Sequence, residues 1–71
     1  MKLDQYLTKV RRERTTFKEG LKLAQKFVIG NGGSCEEKKV DETTFYILSL
    51  GKDEAFCFQP FPDIDRFYFE T

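Results

Sequence analysis

Apolar residues recur at Leu3, Leu7, Val10, Phe17, Leu21, Ala24 and Val28, with Tyr6 and Phe27 beside the stripe. Alternating steps of three and four residues mark one face of an α-helix. Arg14 stands at the one place in the series where an apolar residue is due. The pattern predicts an N-terminal amphipathic helix over 3–28 with a heptad-like seam. Gly20 weakens that helix by about 1 kcal/mol relative to Ala. The run Gly30-Asn31-Gly32-Gly33-Ser34 stops it, because Gly and Asn readily take the left-handed conformation that closes a helix. An alternative divides the segment. Thr16 and Glu19 have capping-box spacing, with Phe17 opening the next apolar run, and Thr15 and Thr16 are β-branched, weak helix formers. Two helices, at 3–14 and 17–29, would result. The stripe keeps its phase across the suspected break, which favours one helix, bent near 15–16.

Beyond Cys35 the period changes. Thr44-Phe45-Tyr46-Ile47-Leu48-Ser49-Leu50 has the β-branched and aromatic composition of a strand, and both of its faces are apolar, which suits a central position. Glu36-Glu37-Lys38-Lys39-Val40 reads as an extra, charged edge strand turned by Asp41-Glu42. Gly51-Lys52-Asp53 reads as a hairpin loop, and 54–59 as the returning strand, which Pro60 and Pro62 end. After a turn at 63–65, Arg66-Phe67-Tyr68-Phe69-Glu70 alternates as a last strand. The fold class is α+β: the helix lies across one face of a three- or four-stranded antiparallel sheet, as a single domain over 1–71.

A helix over 3–28 would be roughly 39 Å long, whereas strands of six or seven residues span only about 20–23 Å. Either the helix breaks and folds back, or its surplus seam meets another chain. One helix covers one sheet face, so Tyr46, Leu48, Phe56, Phe58 and Tyr68 are expected to form a second apolar surface on the other.

Composition narrows the function classes. Eight Phe and three Tyr in 71 residues are too many for a disordered chain. No stretch approaches the ~20 apolar residues of a membrane span, and the first residues lack the apolar run of a signal peptide. The expected location is cytoplasmic, with no membrane partner. There is no His, so the commonest general base and metal ligand are missing. Cys35 and Cys57 are expected to stay reduced, with a redox-sensing pair as a lesser alternative. They cannot close a four-ligand zinc site by themselves. The glycine cluster at 30–33 follows a helix instead of opening one, and no Lys-Ser/Thr pair comes after it, so it is a cap and linker, not a phosphate loop. Glu36 and Glu37 would point to opposite faces of a strand. Asp63 and Asp65 lack further ligands at calcium-loop spacing and suit turn formation or helix capping. No catalytic constellation, metal site or cofactor site follows from these residues.

Net charge is zero but unevenly spread. Residues 1–30 carry eight basic and three acidic side chains, net +5; residues 31–71 carry four and nine, net −5. On a continuous helix Arg11, Arg14, Lys18 and Lys22 would form one basic ridge, able to follow nucleic-acid phosphates or an acidic protein patch. The expected function is therefore a small non-enzymatic protein-interaction or regulatory module. It is expected to self-associate as a homodimer, with Leu3, Leu7, Val10, Arg14, Phe17, Tyr46, Phe56 and Phe58 as interface residues and Arg14 paired to an acid. The alternative is a nucleic-acid-binding accessory protein using the basic ridge.

Overall fold

The computed structural model describes all of residues 1–71. Two helices, α1 (Leu3–Arg12) and α2 (Phe17–Gly30), pack on one face of a four-stranded antiparallel sheet. Its strands are β1 (Ser34–Val40), β2 (Thr43–Leu50), β3 (Asp53–Cys57) and β4 (Phe69–Glu70), in the spatial order of the chain.

The single bent helix is not what forms. The chain breaks at residues 13–16, where the capping spacing allowed it. Glu13 caps α1, and Arg14 follows in the left-handed region with φ 55°, a conformation that costs a non-glycine residue roughly 1–2 kcal/mol. Thr16 caps α2 by accepting the Glu19 N–H on its Oγ1 at 3.2 Å. A second cap comes from far along the chain: Asp65 accepts the Phe17 N–H at 3.0 Å. Two free N–H groups at the start of α2 are thereby satisfied. The Phe67 N–H donates to the Thr15 carbonyl at 3.2 Å, so the C-terminal segment holds the break open from outside it. Local sequence leaves the break optional, and these long-range bonds decide it.

Folding back also removes the length mismatch. Helices of 10 and 14 residues are about 15 and 21 Å long, comparable with the strands. Leu3, Leu7 and Val10 from α1 meet Ala24 and Val28 from α2 over Leu48, Ala55 and Cys57 of the sheet, all in one buried core. Tyr6 stacks on Phe27 between the helices, with centroids 4.1 Å apart. Phe67 completes this layer from the C-terminal segment and is 2% exposed. Its ring lies directly on Gly20, where a Cβ would fall 2.5 Å from Phe67 Cβ and Cγ. The glycine that weakens α2 locally is thus the notch that admits the largest buried side chain.

The charged segment does pair as an edge strand, two residues longer than expected, at 34–40. The last strand is shorter than expected: only Phe69 and Glu70 are in regular ladder, although the Phe58 N–H still donates to the Tyr68 carbonyl at 3.3 Å. The β2–β3 loop holds two residues, not three. Leu50 pairs with Asp53 around Gly51-Lys52, with Gly51 at φ 63°. A positive φ at the first loop residue alone is the pattern of a II′ turn, which glycine takes at no steric cost.

Candidate interaction face

That one-residue difference in loop length decides which side chains share a face. A three-residue loop would set Leu48 opposite Phe56 and Tyr46 opposite Phe58. The observed register sets Ile47 opposite Phe56 and Leu48 opposite Ala55. Directly opposed residues point the same way, and a shift of one residue transfers a whole strand's side chains to the other face. The expected grouping of Tyr46 and Leu48 with Phe56 and Phe58 is therefore incorrect. Tyr46 and Leu48 face the helices, and Phe56 and Phe58 face away from them.

The outward face has two adjacent rows. In one, Lys38 opposes Phe45, the Phe45 ring lies 5.4 Å from that of Phe58, and Phe58 is bonded to Tyr68. In the other, Glu36, Ile47, Phe56 and Glu70 oppose one another in turn across the four strands. The apolar middle forms a shallow depression of about 550 Å³, continued by Val40 and rimmed by Lys38 and Glu70. No helix covers it: Phe45, Ile47, Phe56 and Phe58 all remain half-buried, and Val40 is 42% exposed. Half-exposed aromatic and aliphatic groups gathered in one patch are the ordinary mark of a contact surface.

Apart from Arg14, the other expected interface residues lie on the covered side of the fold. Leu3, Leu7 and Val10 are at most 3% exposed, so there is no free seam for a second chain. Phe17 packs inward, 6.0 Å from Tyr46 and 6.5 Å from Phe67. Arg14 is exposed in the interhelical turn and needs no carboxylate partner within a seam. Of the expected interface, Phe56 and Phe58 are on the open face, joined by Phe45 and Ile47. The alternation along β2 separates Phe45 and Ile47 from Tyr46 and Leu48, but only the register joins them to Phe56 and Phe58.

The basic ridge is interrupted as well. Arg11 belongs to α1, Arg14 to the turn, and Lys18 and Lys22 to α2, so the four do not follow one helix face. All four are exposed. The Arg11 guanidinium sits 5.0 Å from the centroid of Phe69, a cation–π contact that holds it against the sheet.

Cys35 and Cys57 are free thiols on the helix-facing side of β1 and β3. With β2 between them, and with their partners Leu48 and Tyr46 two residues apart along it, their Cα atoms are roughly 12 Å apart, beyond the ~7 Å that a disulfide spans. The redox-pair alternative does not fit this arrangement. Burial, reinforced by the neighbouring Cys35, pushes the Cys57 thiol up to about 12, and burial also raises Cys35. Neither behaves as an activated thiolate, which needs a lowered value. Burial, and then the charge of Glu37, likewise raise the Tyr46 phenol. No three His, Cys, Asp or Glu side chains converge as a metal site, and no helix is long and apolar enough to cross a membrane.

Compared with protein-family models, with curated proteins and with solved structures, the chain finds no match in any of the three.

Proposed function

We propose that this chain is a non-enzymatic protein-interaction module, regulatory in character, whose contact surface is the outward face of the sheet. One observation carries the reading. Both helices pack on the same side, leaving Phe45, Ile47, Phe56 and Phe58 as a contiguous apolar patch with a charged rim. The reading includes no cofactor and a cytoplasmic location, which two free thiols on non-adjacent strands support. Nucleic-acid binding through Arg11, Arg14, Lys18 and Lys22 has weaker support, because these side chains are spread over two helices and a turn.

The test is site-specific photo-crosslinking in the native source, with a benzoyl-phenylalanine at position 45 or 56 and a control at Leu23, which is 38% exposed on α2. Protein adducts are expected at 45 and 56 and not at 23. Each captured protein, once purified, should bind the wild-type chain and lose binding to Phe56→Ser. Adducts equal at all three positions, or recovery of nucleic acid alone, would overturn the reading.

A further inference from the structure

We propose that the occupant of the outward face is a second copy of this chain, seated by a two-fold axis that runs across the strands between the two side-chain rows. The inference rests on the interaction reading above and names its partner.

Its basis is the order of charges along the rows. The first row runs from Lys38 through Phe45 and Phe58 to Tyr68, cationic at its β1 end and phenolic at its β4 end. The second runs from Glu36 through Ile47 and Phe56 to Glu70, anionic at both ends. Sheets stack face to face with their strands nearly aligned, about 10 Å apart, which leaves two simple two-fold arrangements. An axis along the strands lays β1 over β4 of the other copy and brings Glu36 over Glu70, a like-charge contact made twice. An axis across the strands, midway between the rows, lays each row on the other row of the second copy. Lys38 then meets Glu36, the Tyr68 hydroxyl meets Glu70, Phe45 meets Ile47, and Phe58 meets Phe56. Every rim contact is complementary and every central contact is apolar. A two-fold interface demands such self-complementarity, and like charges in register select against the competing arrangement.

Area sets the strength. Four strands about 4.8 Å apart and some 20 Å long present on the order of 300–400 Å², below the ~800 Å² per partner of a standard stable interface. The dimer is therefore weak and reversible, with a dissociation constant on the order of 10–100 µM. Its occupancy would follow the local concentration of the chain.

The experiment is sedimentation velocity on the full chain from about 5 µM to 1 mM, a range that brackets such a constant, with circular dichroism as a check on folding. The exposed residues Lys38 and Glu36 allow charge reversal without disturbing the core. Lys38→Glu alone and Glu36→Lys alone should each weaken self-association by roughly fivefold or more, because each reversal spoils two symmetric rim contacts. Mixed in equal amounts, the two variants should associate again, since both rim pairs are then opposite in sign. Wild-type protein that stays monomeric at the top concentration overturns the proposal. So does a dimer indifferent to both reversals, or a mixture that fails to recover. A monomeric wild type whose position-56 crosslinker still captures another protein would remove the second copy and leave the interaction reading standing. A monomer with no adducts would remove both.

Discussion

Ile47 and Leu48 are neighbours on β2, similar in size and apolarity, and they have opposite fates. Leu48 is fully buried beneath the helices; Ile47 faces outward between Phe45 and Phe56. The helix-facing side of the sheet is closed by both helices and by Phe67, while the outward side carries comparable side chains and no covering layer. The difference teaches that apolar content does not identify the core. A strand hydrophobic on both faces requires two covering layers, and this chain has helices enough for one. The uncovered layer has the most apolar surface left to bury, so a partner would gain most there.

The largest expected effect breaks the comparison at its centre. Leu48→Ala should cost about 2–5 kcal/mol, as large-to-small core substitutions do. A domain of this size has only ~3–5 kcal/mol in hand, so the variant should be largely unfolded at 25 °C by urea titration. Ile47→Ala at low protein concentration should cost about 1 kcal/mol, in proportion to its partial burial. Equal costs at the two positions would remove the distinction between the faces.

A pH titration sharpens the same contrast from the buried side. The Cys57 thiol rises from 9.0 to about 12 on folding, through burial first and Cys35 second. Between those values the unfolded chain has lost the proton and the folded chain retains it, so stability falls as pH rises. Its contribution is fully present below pH 9 and gone by about 12. Cys57→Ala should flatten this part of the stability–pH curve while lowering its plateau. In alkylation at neutral pH, half-buried Cys35 should react first, with Cys57 protected until the chain opens; equal rates would contradict its burial.

The smallest effect concerns close packing on the covered side. Gly20→Ala gains about 1 kcal/mol of helix propensity but drives a methyl into Phe67, an overpacking cost of about 1–3 kcal/mol. The net expectation is a loss of about 1 kcal/mol, read as a lower urea midpoint. In a Phe67→Ala background, where Cγ and the rest of the ring have gone and only Cβ remains against Gly20, the same substitution should cost less than it does in the wild-type chain. A substitution that stabilises the wild-type chain would show that Phe67 does not need the notch.

By itself the sequence determined the α+β class, the helical character of the N-terminal segment, the edge strand at 36–40 and the aromatic surplus, because periodicity and local propensity act over a few residues. It also contained both signals for the helical break, Thr16 and Glu19, set against a stripe whose phase ran straight through them. Only the tertiary structure resolved that conflict. Asp65 and Phe67, about fifty residues away, hydrogen-bond to the backbone of the break, and folding α1 back onto α2 buries Leu3, Leu7 and Val10, which a straight helix would have left overhanging. The make-up of the outward face was decided the same way. Alternation along β2 and β3 defined two sets of side chains within each strand, but their combination depended on whether the hairpin loop held two residues or three. Side chains alternate with a period of two, so one residue of loop length exchanged Tyr46 and Leu48 for Phe45 and Ile47 beside Phe56 and Phe58. Such a choice is fixed by the pairing of whole strands and by burial of Leu48, Ala55 and Cys57 together, which no local pattern contains.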